Sequence, residues 1–321
     1  MKNGAISSWV SVLVILALCG TAQPAEFSQQ ELAYMPASLQ IELFKRGDIS
    51  PVDVLMAQKA QYDRREEQVN AVTTAYWDTA LKMAQESAAR YANGSARELE
   101  GITVGIKDEH YDTGWVVTQG SLVHKNDAPK DHADVMVTKL KAAGAIPVVH
   151  TTVPEFYLNF VTATRAWGVT RNPWNLKYAV GGSSGGSGAS LAAGYVTLAT
   201  GSAMGGSIRI PCAFDGLYGL KPAFGYVHTD LPMSHFSGTG PMARTFEDMV
   251  LMYNVISGPG AHSVIIAPAT RFPLRYESIQ GMRIAYLGGM GVVKPTKEVE
   301  AAMQDAEYSR CPAEIPPRWG F

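Results

Sequence analysis

Two glycine- and serine-rich stretches contain the residues best suited to chemistry. The first, GGSSGGSGASLAAG, covers residues 181–194, and the second, GSAMGGSIRIP, covers residues 201–211. The first runs directly into sequence that favours a helix, so its glycines indicate backbone freedom beside ordered structure rather than a spacer. Such stretches can bind a phosphate group, expose a nucleophilic serine or present backbone amides to an oxyanion.

A phosphate-binding loop makes the most specific demand on the sequence. It needs GxxxxGK[ST], in which the lysine meets the terminal phosphates, or GxGxxG at the start of a helix. No lysine follows the glycines of residues 181–194, and their spacing does not fit GxGxxG. The stretch therefore disfavours nucleotide binding.

The two remaining interpretations choose different nucleophiles. Residues 182–186, GSSGG, satisfy GxSxG, the turn that exposes the nucleophile of α/β hydrolases, with Ser184 in that role. That site also needs an acid and a histidine further along the chain. Three downstream histidines are available: His228, His235 and His262. In the other interpretation, Gly205 and Gly206 leave their amides open beside Ser207, which becomes the nucleophile.

A serine hydroxyl needs a neighbouring base to become a good nucleophile. Residues 101–107, GITVGIK, are apolar and partly β-branched, which predicts a buried strand ending on Lys107. Burial disfavours the ammonium form of a lysine and lowers its pKa. Lys107 is therefore the candidate base for Ser207.

Helices and strands alternate around these residues, which predicts an α/β fold with a parallel sheet. Apolar periodicity predicts helices over residues 39–46, 77–91, 133–143, 187–193, 246–256 and 296–306. A further helix is predicted to begin after the capping residue Ser50, with Pro51 at its first position. Strands are predicted over residues 101–107, 145–150, 195–199 and 282–287. We find no internal repeat and no domain linker.

The composition excludes several classes of protein. The 321 residues, 46% hydrophobic and 17% charged, are enough for one large core or two smaller ones. A net charge of -2 gives no reason to expect nucleic acid or an anionic membrane as a partner. The seven histidines lack metal-ligand spacing, so neither a metal nor a cofactor is expected. Cys212 and Cys311 do not make a disulfide framework, and Cys212 is expected to be a small buried residue.

The two ends of the chain differ from the rest. Lys2, an apolar run and the small residues 20–22 predict a cleaved secretory signal over residues 1–22, and hence a secreted or periplasmic protein without stable membrane insertion. An uncleaved anchor is the alternative, although the run is short for a bilayer span. Residues 308–321 contain three prolines and no periodicity, which predicts an irregular tail after a main domain over residues 23–307.

Seven stretches in one order resemble the amidase signature family, which consists of serine hydrolases with a Ser-cisSer-Lys triad. They are GITVGIKDEHYDTG, LKAAGAIPVVHTTVPEF, GVTRNPWN, GGSSGGSGASLAAG, GSAMGGSIRIP, GLKPAFG and GPMARTFEDMVLM. The resemblance runs from about Ser38 to Ala306. It implies the amidase-signature fold, a mixed, mostly parallel sheet flanked by helices. Because the family's chains usually run further, the fold is expected to be incomplete at the C-terminus.

The resemblance also assigns roles to the candidate residues. It makes Lys107 the base, Ser183 the cis-serine that relays protons and Ser207 the nucleophile. The oxyanion hole would be formed by the backbone amides of Met204, Gly205, Gly206 and Ser207. Supporting roles would fall to Ser184, Asp108 and Arg209.

Ala203 departs from the family pattern. Family members usually have an aspartate there, which pairs with the arginine at the position of Arg209. Its loss removes a carboxylate that would brace the loop, so we expect Ala203→Asp to raise thermal stability or activity. Three aromatic residues could line an apolar pocket or belong to the core: Phe156, Tyr157 and Trp167.

The implied function is hydrolysis of carboxamide C–N bonds, with esters or carbamates as further candidate substrates, through an acyl-enzyme on Ser207. The substrate would be a small-molecule amide, and association into a homo-oligomer stays open. The signal argues against the role of the cytosolic family members that transfer ammonia in a tRNA-dependent complex. Two alternatives remain: a truncated, inactive amidase-like protein, and an α/β-hydrolase-type esterase that uses Ser184.

Overall fold

A computed structural model describes residues 27–228, 236–260, 267–276, 278, 280–282 and 294–310. The chain divides into two compact units, Met1–Arg275 and Tyr276–Phe321. The helices are α1 (Gln29–Tyr34), α2 (Ala37–Arg46), α3 (Pro51–Val69), α4 (Trp77–Ala92), α5 (Val135–Ala142), α6 (Gly185–Ala192), α7 (Arg209–Asp215), α8 (Phe246–Ile256) and α9 (Lys297–Arg310), with a short 3-10 helix over Glu155–Tyr157. The strands are β1 (Val72–Ala75), β2 (Thr103–Lys107), β3 (Ile146–Thr151), β4 (Ala163–Thr164), β5 (Gly168–Val169), β6 (Leu198–Ala203), β7 (Tyr218–Gly219) and β8 (Gly238–Ala243).

Six strands of the first unit form one mixed sheet in the order β1-β3-β2-β6-β8-β7. The three central strands are parallel, and the flanking strands pair antiparallel with them and with each other. The connections between the parallel strands include α5, between β2 and β3, and α6, between β3 and β6. The expected mixed α/β sheet flanked by helices is confirmed.

The central strands are buried along their whole length. Every residue of β2, β3 and β6 is buried, because helices cover the sheet and leave these strands no solvated face. Apolar side chains from the strands and helices form three buried clusters. The ends of β2 and β6 are thereby held in a rigid and largely dry environment.

Local sequence signals explain several helix boundaries. Ser50 accepts a hydrogen bond from the Asp53 amide and Asp53 reciprocates, so a capping box starts α3 with Pro51 at its first position. Gly47 ends α2 in the left-handed conformation, with φ of 73°. Helix α8 occupies the predicted residues 246–256, and Thr245 caps it.

The strand predicted over residues 195–199 is misplaced, since β6 covers Leu198–Ala203. The amide of Tyr195 donates to the Ser190 carbonyl, and Arg244 donates to the Val196 carbonyl, so these backbone groups are not free for a ladder. At the other end, pairing with β8 extends the strand through Gly201. Tertiary pairing overrides the low strand propensity of glycine here.

Several elements carry no clear sequence signal. Local patterns did not predict α1, α7, β1 and β8, and they placed the start of α6 two residues late because glycines usually weaken helices. Helix α9 continues to Arg310, beyond the residue 307 at which the domain was expected to end. The predicted strand over residues 282–287, the signal over residues 1–22 and residues 311–321 of the tail lie outside the described residues, apart from Met282. In the part of the chain that is described, no helix combines the length and the apolarity needed to cross a bilayer.

Candidate active site

Lys107 is the last residue of β2, and its side chain is fully buried. Its amide donates to the Thr200 hydroxyl of the neighbouring strand β6 at 2.9 Å, which fixes the end of β2. Its Nζ lies 3.0 Å from Ser183 Oγ and 2.7 Å from Ser202 Oγ. Burial lowers the pKa of the amine, and the Glu109 carboxylate opposes that shift.

Ser183 lies two residues before the start of α6 at Gly185, and the Gly182–Ser183 peptide bond is cis. Gly181 precedes it with φ of +78°, a backbone conformation that favours glycine. A Cβ atom on Gly182 would lie 2.9 Å from the carbonyl carbon of Phe160. The glycines of residues 181–194 therefore allow close backbone packing at the site and do not form a spacer.

A backbone hydrogen bond connects Ser207 to the residue after Ser183: the Ser184 amide donates to the Ser207 carbonyl at 3.2 Å. Ser207 is 6% exposed, whereas the preceding Met204 is 56% exposed and Gly205 is also exposed. No described residue accepts a hydrogen bond from the amides of residues 204–207. Free amides next to a serine at an opening to solvent are the arrangement that an oxyanion needs.

Ser184, the alternative nucleophile, has no exposed surface. Its hydroxyl donates to the Ser202 carbonyl and accepts from the Ser202 amide, both at 3.3 Å. A nucleophile elbow exposes its serine, so this burial favours a bracing role between α6 and β6. Of the three downstream histidines, only His228 lies among the described residues, and its ring packs close to Gly260.

Two residues that no sequence motif indicated contact Lys107. The Glu109 carboxylate lies 3.0 Å from Lys107 Nζ, and the Ser202 hydroxyl donates a short hydrogen bond to that same carboxylate oxygen. Both side chains are buried. The only sequence signal for Glu109 was its acidic side chain two positions after the lysine. A turn at residues 108–110 brings Glu109 back towards Lys107.

The Asp108 carboxylate braces the loop that contains Thr118. It is buried, accepts from the Thr118 amide at 2.7 Å and from the Thr118 hydroxyl, and lies 3.6 Å from His150 Nε2. Burial raises the pKa of its carboxyl, and the charge of His150 and the bonds from Thr118 oppose that shift. Its placement fits a supporting role.

Arg209 is exposed at the start of α7, and none of the ion pairs among the described residues includes it. Ala203 is buried in the apolar cluster that contains Ile208 and Cys212. An aspartate at position 203 would therefore have to draw the guanidinium inward. The stabilising effect of Ala203→Asp stays a prediction.

The three candidate aromatic residues lie in different environments. Tyr157 is close to the site, with its ring centroid 5.3 Å from Lys107 Nζ and its hydroxyl donating to the Asp108 carbonyl. Phe156 is 39% exposed, and the Trp167 indole donates to the Thr118 hydroxyl. A fourth aromatic residue, Phe160, carried no sequence signal: its ring edge would lie 3.3 Å from a Cβ on Gly205.

Cys212 is a poor candidate for a second nucleophile. Burial raises the pKa of the Cys212 thiol to about 12, which makes it a poor nucleophile, and the cysteine is free. Among the described residues, no group of three or more histidine, cysteine or acidic side chains could hold a metal ion.

The family model described as Amidase matches residues 53–309, which is most of the chain. This chain belongs to the amidase signature family. Lys107, Ser183 and Ser207 all lie within the matched residues.

Individual members of the amidase signature family show the same likeness. A glutamyl-tRNA(Gln) amidotransferase component of Carboxydothermus hydrogenoformans is 40% identical over 232 residues, 71% of this chain and 48% of that protein. The putative amidase AmiB2 of Mycobacterium tuberculosis is 35% identical over 258 residues, 79% of this chain and 55% of that protein. A bacterial aryl acylamidase structure superposes with a TM-score of 0.70 and 29% identity, covering 74% of this chain and 50% of that one. The chain spans about half the length of the curated relatives it matches.

Proposed function

We propose that this protein is a serine amidohydrolase that cleaves carboxamide C–N bonds through an acyl-enzyme on Ser207. The observation that carries the proposal is the buried 3.0 Å contact between Lys107 Nζ and Ser183 Oγ beside the free amides of residues 204–207. Membership of the amidase signature family supports the reaction class. Esters and carbamates are further candidate substrates, since their carbonyl carbons accept the same attack.

In the proposed acylation step, protons move along three side chains. Neutral Lys107 takes the proton of Ser183, and Ser183 takes the proton of Ser207 as the Ser207 oxygen attacks the carbonyl carbon. The amides of residues 204–207 donate to the oxyanion that forms, and each such donor contributes about 3 kcal/mol to transition-state stabilisation. Buried general bases of this kind contribute roughly 10²- to 10⁴-fold in rate.

The same path runs in reverse for the leaving group. Lys107 returns its extra proton through Ser183 to the amide nitrogen while the C–N bond breaks, which leaves an acyl group on Ser207 and releases the amine. Water then attacks the acyl carbon and gives a proton to Ser183, which passes its own proton to Lys107. Lys107 returns that proton through Ser183 to the Ser207 oxygen as the bond between that oxygen and the acyl carbon breaks. The free carboxylic acid and the original serine are restored.

Three competing proposals make different predictions. Ser184 as nucleophile is disfavoured by its burial and its hydrogen bonds to Ser202. A protein without hydrolytic activity would keep the fold but leave Ser207 unreactive. Transfer of ammonia, as the name of the amidotransferase relative suggests, would require partner proteins and tRNA.

A fluorophosphonate serine probe tests the proposal on the whole chain. We expect mass spectrometry to place the adduct on Ser207, and Ser207→Ala to abolish it. Lys107→Ala should slow labelling by about 100-fold or more, because the base is lost. In the matched control Ser184→Ala, the adduct should stay on Ser207.

The other outcomes identify the alternatives. An adduct on Ser184 that survives in Ser207→Ala would favour the esterase. Absence of any adduct on folded, soluble protein would favour the inactive amidase-like protein. Release of free acid from a simple aryl amide without added partners would count against a dedicated amidotransferase.

We also propose that residues 1–22 export the protein and that it acts outside the cytosol, as a small-molecule enzyme without nucleic acid. The support is the charge and apolar pattern of the N-terminal sequence. Whether copies associate into a homo-oligomer is a matter for mass measurement in solution.

A further inference from the structure

We propose that Glu109 is a positioning residue for Lys107, one that stabilises the ammonium in the resting protein and sets the pH above which Lys107 can accept the proton of Ser183. The inference rests on the proposed function, since it concerns the same proton path. Glu109 touches neither the substrate carbonyl nor Ser207 in this scheme. It acts only through the lysine.

The hydrogen bonds around Lys107 account for every proton on the amine. The Ser202 hydroxyl gives its single proton to Glu109, so it can only accept from Lys107, whose Nζ lies 2.7 Å away and also 3.3 Å from the Ser202 carbonyl. A second proton of Lys107 points to the Glu109 carboxylate at 3.0 Å. The third proton of the ammonium faces Ser183 Oγ, which lies 3.0 Å from Nζ.

This arrangement decides where the lone pair of a neutral Lys107 points. A neutral amine keeps two protons. Glu109 and Ser202 are both acceptors here, so each of them takes one of these protons in a hydrogen bond. The lone pair is then left for Ser183, whose hydroxyl can donate its proton to it. Glu109 and Ser202 thus aim the basic lone pair of Lys107 at Ser183.

The Glu109 carboxylate also disfavours the neutral form of Lys107. Lys107 is fully buried and Glu109 is 7% exposed, so solvent screens their attraction little. An opposite charge at this distance favours the charged form of a lysine and raises its pKa, against the lowering by burial. Deprotonation of Lys107, and with it activation of Ser207, is therefore shifted to higher pH than burial alone would set.

Other titratable groups that face this pair come from the neighbouring turn and from the segment over residues 155–157. Burial disfavours a charge on His110, but Asp134 at 3.1 Å raises its pKa, and His110 also faces Glu109. The Tyr157 ring faces Lys107, and burial raises the pKa of its hydroxyl. Asp108 and His150 pair with each other behind the turn. His110 is thus the neighbour whose own titration must be separated from that of Lys107.

The test is the pH dependence of the rate at which the fluorophosphonate probe labels Ser207, from about pH 5 to about pH 10. The acid limb is the low-pH part of this profile, where the rate rises as Lys107 loses its proton. In Glu109→Gln, which keeps the size of the side chain, we expect the acid limb to move to lower pH by about one unit or more. The same shift is expected when Glu109→Gln is made in a His110→Asn background. Glu66→Gln removes another partly buried carboxyl whose oxygen accepts from the Val72 amide, and should leave the limb unchanged.

Glu109→Asp separates positioning from charge and serves if Glu109→Gln does not fold. It keeps the negative charge but shortens the side chain, so we expect the limb to stay within about half a pH unit of wild type and the plateau rate to fall. The inference would be overturned if Glu109→Gln labels at Ser207 with the acid limb at the same pH as in wild type. An unchanged plateau of the labelling rate in Glu109→Asp would also overturn it. Failure of the wild type to label at Ser207 would instead sink the proposed function.

Discussion

At Lys107, burial and a neighbouring carboxylate act on one amine in opposite directions. Burial lowers the pKa of the lysine, while Glu109 at 3.0 Å favours its charged form. Ser202 connects the two groups and fixes the direction of the amine. In the proposed mechanism, the balance at this single residue controls whether Ser183 can pass on a proton.

At Asp215, the charge of a single buried residue affects the stability of the fold rather than the proposed chemistry. It is fully buried in α7, and one carboxyl oxygen accepts from Asn172 at 3.0 Å while the other has no hydrogen-bond partner among the described residues. Burial raises the pKa of its carboxyl to about 8. In the unfolded chain it ionises near its ordinary pKa of about 3.9. Folding therefore holds a proton between these values, and stability is lost as the pH rises from about 4 to about 8.

We expect Asp215→Asn to remove this pH dependence. Its melting temperature should be close to that of wild type at about pH 5 and higher by about 3 °C or more at about pH 8.5, because no buried carboxyl then has to ionise. Thermal unfolding at several pH values measures this. Asp63→Asn, on the exposed face of α3, is the control that should follow wild type. Parallel curves for wild type and Asp215→Asn would contradict the assignment.

Among the elements, α6 and the ends of the central strands bring the site together. Helix α6 begins at Gly185, two residues after Ser183, and packs against β3. The Gly186 amide donates a hydrogen bond to the carbonyl of Thr152, the residue after β3, at 3.0 Å. Glycines let the helix approach this closely. The approach carries Ser183 to Lys107 at the end of β2.

Gly186→Ala tests this close packing. An added Cβ would overlap the backbone nitrogen and hydroxyl of Thr152, well inside van der Waals contact. Overpacking of this kind costs about 1 to 3 kcal/mol, which exceeds the gain of about 1 kcal/mol from the better helix propensity of alanine. We expect the melting temperature and the rate of Ser207 labelling to fall together. Gln85→Ala on the exposed face of α4 should change neither, and a Gly186→Ala variant as stable as wild type would count against the packing argument.

For the molecule as a whole, every candidate site residue lies in the unit formed by residues 1–275. The sheet, its covering helices and the three apolar clusters surround that site. A net charge of -2 supplies no strong field for a charged macromolecular partner.

The proposed export concerns the whole chain and can be tested by mass. Expressed in a bacterium with a general secretion pathway, the chain should appear outside the cytosol with a mature N-terminus at or near residue 23. Intact-mass measurement of the fractionated protein gives the answer. A chain starting at residue 23 is the control and should stay in the cytosol. Retention of residues 1–22 in the membrane fraction would favour the anchor.

Local sequence patterns were sufficient to predict the family and most of the helices, and the resemblance to that family assigned the candidate triad. These patterns are capping residues, apolar periodicity, and glycine and serine motifs whose order along the chain is specific. Helix α8 and the start of α3 were predicted to the residue because their caps are local. Family membership followed for the same reason, since the motifs are contiguous stretches.

Long-range contacts, by contrast, set the extent of β6 and the neighbours of Lys107. Strand β6 extends through a glycine because β8, distant in the chain, pairs with it. The Glu109 carboxylate reaches the lysine because a turn folds it back, and Ser202 meets both from another strand. Such contacts depend on strand register and on the path of the chain through space. The protonation of the candidate base is therefore a property of the folded chain.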